Sequence, residues 1–213
     1  MFKTTKEAEA IVHTLSAPSK MPGYSYNTPA YRCIKGTILR KVANSICSKC
    51  YAMKGRYVFD NVKEAMEKRF DALQHPLWVD AMTFLINKKE KSGFFRWHDS
   101  GDLQGTWHLK KICQIAENLP HITFWLPTRE YGIVSDYIEK EGNTIPPNLT
   151  IRLSALMIDG QYPDSIAKRF GLVVSGVSRD GDYNCPAPKQ NNSCGDCRAC
   201  WDKGCYSVNY KQH

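Results

Sequence analysis

The sequence lacks any run of about 18 uninterrupted apolar residues, which is the length that a membrane-spanning helix requires. Its first residues, MFKTTKEAEAIVHTL, mix apolar and charged side chains and lack the continuous apolar core of a secretory signal. Internal repeats and low-complexity tracts are absent as well. We therefore expect a cytoplasmic protein without a membrane segment.

A chain of 213 residues with 42% hydrophobic content suits one compact domain, or one domain with a small appendage. It contains nine cysteines. Because thiols are kept reduced in a cytoplasm, and because an odd number cannot pair completely, a disulfide framework is not expected. Metal binding is the leading explanation for the cysteines.

The formal net charge of +8 permits an anionic partner. The basic residues are spread among several predicted helices, as in KEAMEKRF (63–70) and NKKEK (87–91). Two interpretations stay open. These residues form solvated helix faces, or they belong to a surface that binds nucleic acid.

Short apolar runs rich in aromatic and β-branched residues alternate with amphipathic segments. The predicted strands are GFFRWHD (93–99), HITFWLP (121–127), LTIRLSA (149–155) and GLVVSGV (171–177), with a further strand within GYSYNTPA (23–30). The predicted helices are 103–119, 131–142 and 163–171, with two more inside 51–91 that are divided near Pro76.

Alternation of this kind implies parallel strands joined by helical crossovers. The expected fold class is α/β, with about five strands in a partial (β/α) barrel or a short parallel sheet. We assign residues 1–183 to this Cys-bearing domain. Residues 184–213 are expected to form a Cys-rich, metal-binding extension packed on it.

The loops that follow parallel strands meet at one edge of the sheet and build the site in barrels and open sheets alike. HDSGD (98–102) and TREY (128–131) follow two of the predicted strands. Imidazole and carboxylate groups there can transfer protons, so the predicted catalytic residues are His98, Asp99, Arg129 and Glu130. Alternatively, Asp99, Ser100 and Asp102 form a turn and cap the helix that follows, or His98 ligates a metal.

Arg152 lies inside a predicted strand, where a charge needs a polar lumen or an acidic partner such as Asp99 or Glu130. Its planar guanidinium suits a carboxylate or a phosphate. We predict that it binds a cofactor, together with Ser154 at the end of the same strand. A structural salt bridge is the alternative.

The end of the chain, NCPAPKQNNSCGDCRACWDKGC, concentrates cysteines that we call the tail cysteines: Cys185, Cys194, Cys197, Cys200 and Cys205. The CxxCxxC spacing can wrap one inorganic centre, and Cys185 can supply a fourth thiolate. We predict metal binding by the first four of these residues. Buried cysteines without a metal are the alternative, and this is the interpretation that we adopt for Cys113 on an apolar helix face.

The head cysteines are Cys33, Cys47 and Cys50, the last two in CSKCYAMKGRY. Three thiolates are one short of a closed zinc site or a fully ligated [4Fe-4S] cluster, so one iron would stay open to another ligand. In a competing arrangement, Cys47 and Cys50 join two tail cysteines in one structural zinc site.

Several motifs resemble those of the bacteriophage gene 88 protein family: KMPGYSYNTPAYRC, CSKCYAMKGRY, FRWHDSGDLQ, FWLPTREY and CPAPKQ…CGDCRACW. The resemblance covers residues 20–213. It implies a phage or prophage origin, hence the cytoplasm of a host cell, and supplies no activity.

The order of motifs also resembles radical S-adenosylmethionine (SAM) enzymes. That resemblance implies a [4Fe-4S] cluster on the head cysteines, with Tyr51 beside the last of them. It also implies that Ser100, Gly101 and Asp102 help to bind SAM, and that the tail cysteines hold an auxiliary cluster. The spacing differs, because Cys33 and Cys47 stand fourteen residues apart.

The leading functional hypothesis is therefore an iron-sulfur redox enzyme of radical SAM type. It would act on a nucleotide, a nucleic acid or another phage or host substrate, and would need a reductant such as flavodoxin or ferredoxin. The alternative is a noncatalytic zinc or iron-sulfur module that binds nucleic acid or a host protein. A protein that only transfers electrons or senses redox state is a third possibility.

Overall fold

In the computed structural model, which describes residues 2–179 and 181–212, the strands form one sheet in which all neighbours are parallel. The strands are β1 (Ser25–Tyr26), β2 (Phe94–Trp97), β3 (Thr123–Thr128), β4 (Leu149–Ser154), β5 (Val173–Ser178) and β6 (Ser207–Lys211). They are hydrogen-bonded in chain order, from β1 to β6. This is the strand order of a (β/α) barrel, here in an open sheet.

Seven α-helices occur in the described residues: α1 (Thr5–Val12), α2 (Ile34–Leu39), α3 (Asp60–Ala72), α4 (Trp78–Lys89), α5 (Thr106–Asn118), α6 (Tyr131–Ser135) and α7 (Asp164–Phe170). A π-helix, Asp136–Lys140, continues α6. None of the helices in this part of the chain is both long and apolar enough to cross a membrane.

The two faces of the sheet differ in chemistry because side chains alternate along each strand. Phe95, Phe124 and Leu153 belong to the core that packs against the helices. Neighbouring positions, among them Arg96 and Arg152, point to the opposite face, which we call the inner face. The helices therefore cover one side of the sheet and leave polar and aromatic groups on the other.

The α/β fold and its parallel sheet are confirmed, and each predicted strand and helix overlaps an observed one. About five strands were predicted from the sequence, and β6 was not among them. This strand lies in the Cys-rich extension and pairs with β5 along its whole length. The end of residues 184–213 is therefore part of the sheet as well as packed on it.

Asn148, just before β4, closes the carboxyl end of α5. Its side-chain amide donates to the carbonyls of Ala116, Leu119 and Ile122 at 2.9, 3.0 and 3.0 Å. Asn148→Ala should lower the free energy of unfolding by about 1–3 kcal/mol, because the carbonyls lose their common donor. Urea unfolding measures the change. Asn143→Ala, which removes a hydrogen bond to exposed Glu141, is the control and should change stability by less than about 0.5 kcal/mol.

Candidate functional site

The segment between β1 and α3 crosses the carboxyl edge of the sheet. The amide of Ile46 donates to the carbonyl of Leu156 (2.9 Å), and the amide of Ile158 donates to the carbonyl of Asn44 (2.9 Å). Leu156 and Ile158 follow β4 closely. These bonds hold the segment over the edge at which the sequence analysis predicted the site.

The head cysteines form one group within this segment. The Sγ atoms of Cys33 and Cys47 lie 3.7 and 3.8 Å from the position that a Cβ on Gly36 would occupy, so they flank the same glycine. The amide of Cys50 donates to the carbonyl of Cys47 (3.3 Å) in a tight 3-10 turn. Burial raises the pKa of Cys33, and the nearby charges of Asp102, Cys50 and Cys47 raise it further. Burial also raises the pKa of Cys47.

Asp102 joins the loops that follow β2 and β3. Its carboxylate accepts hydrogen bonds from the amide of Leu103 (2.8 Å), the hydroxyl of Thr128 (2.6 Å) and the amide of Arg129 (3.0 Å). Burial raises the pKa of Asp102, although these bonds oppose the shift. Because α5 begins at Thr106 behind Gly105, Asp102 connects two loops and does not cap the helix as the alternative proposed.

Arg129 and Glu130 lie beside the head cysteines. The charge of Arg129 opposes the rise in the pKa of Cys47, and its Nε donates to the carbonyl of Ala155 (3.0 Å). The carboxylate of Glu130 accepts from the amide of Lys35 at 2.6 Å, just after Cys33. Burial raises the pKa of Glu130. Glu130 therefore holds the cysteine-bearing segment, whereas Arg129 bonds to the loop that follows β4.

Asp99 is the centre of a second polar group. Its carboxylate accepts from Ser25 Oγ (2.8 Å), Asn27 Nδ2 (3.3 Å) and the hydroxyl of Tyr57 (3.0 Å). Its backbone carbonyl accepts from the hydroxyl of Tyr51. Burial raises the pKa of the Tyr51 hydroxyl, although the residue as a whole is 39% exposed. The residue that follows Cys50 therefore connects the head cysteines to Asp99.

Arg96, which the sequence analysis did not select, extends this group across the inner face. Its Nη2 donates to the hydroxyl of Tyr51 (3.3 Å), and its guanidinium lies 4.4 Å from the ring centre of Trp125. Arg152 was predicted as a site residue because it is a charge inside an apolar strand. The same pattern occurs in FFRW, the sequence of β2 that contains Arg96. Its charge also opposes the rise in the pKa of Cys194 and Cys200 in the tail.

Two hydroxyls near these groups are buried without a hydrogen-bond partner in the described residues, Thr28 Oγ1 and Ser100 Oγ. Gly101 brings the two segments together, since the amide of Thr28 donates to the carbonyl of Ser100 (3.0 Å). A Cβ on Gly101 would stand 1.9 Å from Thr28 Oγ1, and its φ of +92° also favours glycine. Buried polar atoms of this kind are candidate ligand contacts.

His98 is placed differently from the other predicted catalytic residues. It is almost fully buried, and its ring meets that of His108 on α5 at a centroid distance of 5.3 Å, on the helix side of the sheet. Burial, helped by the charge of Arg96, lowers the pKa of His98 to about 3. The imidazole is therefore neutral at ordinary pH, and among the described residues neither ring nitrogen has a hydrogen-bond partner.

Arg152 is fully buried and binds backbone carbonyls in place of the expected acids Asp99 or Glu130. Its acceptors are Val174 (2.7 Å), Ala199 (2.8 Å), Cys205 (3.0 Å), Asp202 (3.2 Å) and Tyr206 (3.3 Å). Four of these carbonyls belong to the tail. Ser154, its predicted companion, accepts from Ser175 Oγ at 3.1 Å. Arg152 thus anchors the tail with the atoms that were expected to bind a cofactor.

The tail cysteines line one cavity of about 130 Å³. Burial raises the pKa of Cys200 to about 11, and its Sγ lies 3.2 Å from the hydroxyl of Tyr210 on β6. Burial also raises the pKa of Cys185 and Cys194. Trp201 holds this region against the inner face, where its Nε1 donates to the carbonyl of Phe95 (3.0 Å).

The two cysteine groups can be compared with what metals require. The sulfurs around a single tetrahedral zinc approach one another to about 3.8 Å, since each lies about 2.3 Å from the metal. Within residues 2–179 and 181–212, no three His, Cys, Asp or Glu side chains are arranged to hold one metal ion. An iron-sulfur cluster keeps its thiolates further apart, around an inorganic core.

The head cysteines are not among the residues that line the tail cavity. The family model described as gene product 88 matches residues 2–203. No curated protein and no solved structure matches the chain.

Arg152→Met should destabilise the protein by at least about 3 kcal/mol, because the carbonyls lose a buried donor. The measurement is urea unfolding, followed in parallel by limited proteolysis, in which the tail should become sensitive first. Arg169→Met removes an exposed ion pair with Glu139 and should cost less than about 1 kcal/mol. Equal losses in the two variants would contradict the role assigned to Arg152.

The buried histidines should make the protein sensitive to acid. Burial lowers the folded-state pKa of His98 and His108, whereas both take a proton near pH 6.5 when unfolded. The folded state thus binds fewer protons, so stability falls below pH 6.5 by up to about 1.4 kcal/mol per pH unit for each histidine. Unfolding measured between pH 7 and 4.5 should show a shallower slope for His108→Phe. Protonation of either ring at pH 5.5 in NMR spectra would disprove this expectation.

Proposed function

The chain belongs to the gene product 88 family, and we propose that it is an iron-sulfur redox enzyme of radical SAM type. One observation carries this proposal: the cysteines of a single loop gather at the carboxyl edge of a parallel sheet, and those of the tail line a separate cavity. The three head cysteines leave one iron of a [4Fe-4S] cluster without a protein ligand. Such a position is where a small molecule can bind.

A cluster on the head cysteines, when bound, would supply SAM with single electrons taken from a carrier such as flavodoxin or ferredoxin. The protein would bind and orient the small molecules. The hydroxyls of Thr28 and Ser100 would contact polar groups of the cofactor, and Arg96 would face its carboxylate. Arg129 would balance the negative charge of the thiolates.

The tail cysteines would hold the second, auxiliary cluster. Cys185, Cys194, Cys197 and Cys200 are the proposed ligands, and Cys205 lies on the wall of the same cavity. The charges of Arg152 and Arg96 oppose the rise in the pKa of Cys200 and so favour its thiolate form. The substrate in this proposal is a nucleotide or nucleic acid that reaches the carboxyl edge of the sheet.

The second candidate is a noncatalytic zinc or iron-sulfur module. The contacts of Arg152 and Trp201 favour it, because a metal in the tail would also stabilise the attachment of that segment to the sheet. This candidate explains the tail and leaves the separate group of three cysteines without a purpose. It remains the alternative if the head cysteines bind zinc or nothing.

Anaerobic purification followed by iron, sulfide and zinc analysis tests the proposal. Two clusters would give about eight irons per chain. The EPR spectrum of the reduced protein should change on addition of SAM, because SAM would bind the open iron. Zinc without sulfide would overturn the redox function, and a spectrum indifferent to SAM would overturn the radical SAM assignment.

Single substitutions separate the two proposed clusters. Cys47→Ser should halve the iron content and abolish the response to SAM, whereas Cys197→Ser should lower the iron content and keep that response. Cys113→Ser is the matched control, since Cys113 is a buried core residue of α5. It should retain full iron content. Loss of the SAM response in Cys197→Ser but not in Cys47→Ser would reverse the assignment.

A further inference from the structure

The net positive charge of the protein is concentrated in one segment, residues 31–59. It contains seven Lys or Arg residues and no Asp or Glu. The rest of the chain holds 22 Lys or Arg against 21 Asp or Glu and is nearly neutral. The helices that suggested a spread of charge, α3 and the end of α4, therefore contribute little to the net charge.

Most of these cations are not neutralised by neighbours. Arg32 is paired with Glu67 (3.3 Å). The side chains of Lys41, Lys49, Lys54 and Arg56 are exposed, and none of them makes an ion pair or a side-chain hydrogen bond with the described residues. Their charge therefore faces solvent.

The same segment exposes large apolar side chains. Ile38 is 59% exposed and Phe59 is 57% exposed. The other exposed members are Tyr31, Ile34, Val42, Tyr51, Met53 and Val58. Only two large apolar side chains outside this segment, Leu77 and Tyr206, are comparably exposed in the described residues. A surface that mixes unpaired cations with exposed aromatic rings is unusual for a face that only meets water.

Side-chain contacts join separate turns of this segment. Arg40 holds them together: its guanidinium donates to the carbonyl of Ala30 (3.2 Å) and the hydroxyl of Thr37 (3.2 Å), and contacts Met53 Sδ (3.2 Å). We call residues 31–59 the basic rim. It contains all three head cysteines and lies over the carboxyl edge of the sheet.

We propose that the basic rim binds single-stranded nucleic acid. Phosphates would contact the unpaired Lys and Arg side chains, and unpaired bases would stack on exposed rings such as that of Phe59. Single strands fit better than a duplex, because a duplex keeps its bases stacked internally and offers no free base faces to these rings.

A lipid surface suits the rim less well. A segment that lies in a membrane interface needs an extended amphipathic helix with a continuous apolar face. Here the only α-helix of the rim, α2, spans six residues, and the rest consists of 3-10 turns and loops. The short helix and the turns of the rim thus fit a membrane surface poorly, whereas its cations and exposed rings fit a polyanion that carries stacking groups.

The proposal deepens the proposed function by naming its substrate class, although binding to the rim itself needs no metal. Fluorescence anisotropy with labelled single-stranded DNA and RNA of about 20 nucleotides, with a duplex as comparison, measures the binding at several salt concentrations. Affinity should fall as salt rises, with a logarithmic slope of about −0.7 for each phosphate contact. The single strands should bind at least tenfold more tightly than the duplex.

Matched charge reversals test the location. The double variant Lys41→Glu, Lys54→Glu should weaken binding at least tenfold and make the salt slope shallower by about 1.4. The control Lys91→Glu, Lys110→Glu makes the same change of charge on exposed residues outside the rim and should change affinity less than threefold. Phe59→Ala should weaken binding at least fivefold with an unchanged salt slope.

Several outcomes would overturn the proposal. These are no binding at 50 mM salt, equal losses in rim and control variants, competition by polyglutamate as strong as by oligonucleotide, or binding of anionic vesicles in preference to nucleic acid. Iron content measured on the same samples keeps the two ideas apart. If the protein binds nucleic acid but contains no iron, the binding proposal is supported and the redox function is overturned. If it contains iron but binds no nucleic acid, the binding proposal is overturned and the redox function is kept.

Discussion

The buried charge of Arg152 is the constraint on which the rest of the structure depends. A cation removed from water costs several kcal/mol unless hydrogen bonds replace its hydration. Arg152 meets this requirement with backbone carbonyls of β5 and the tail, and its acceptors in residues 199–206 must close over the inner face to reach it. In this arrangement the ring of Trp201 packs against that of Trp125, and β6 pairs with β5 in the sheet. Arg152, Trp201 and β6 together thus fix the position of the tail cysteines.

A different constraint acts at the carboxyl edge of the sheet, where separate segments of the backbone must approach closely. Gly36 leaves space between two thiols, and Gly101 allows the loop after β2 to meet Thr28. Asp102 then joins the loops after β2 and β3 through hydrogen bonds to two amides and a hydroxyl. Side chains that resemble a catalytic cluster in the sequence thus use many of their hydrogen bonds to hold the loops of this edge together. Two hydroxyls of this edge, Thr28 Oγ1 and Ser100 Oγ, have no hydrogen-bond partner within residues 2–179 and 181–212 and are available to a ligand.

The sequence predicted the fold well because the signals were local. Alternating apolar runs mark β2 to β5, and apolar residues at helical spacing mark α5, so burial and periodicity agree. The strand β6 was not predicted because it directly follows a loop-forming, Cys-rich stretch and has only one buried side chain, Val208. The grouping of the head cysteines was predictable from a common loop. The hydrogen-bond partners of Arg152 could not be predicted, and neither could the orientation of His98 toward α5. Both depend on which parts of the chain that are distant in sequence come near.

Arg96 shows why the two cysteine groups should not be considered independently. Its guanidinium bonds to Tyr51, the neighbour of Cys50, and its charge also acts on Cys194 and Cys200 in the tail. Where water is partly excluded, one fixed charge can influence ionisable groups on both sides. A single side chain on β2 therefore contacts the neighbour of one head cysteine and also acts electrostatically on two tail cysteines.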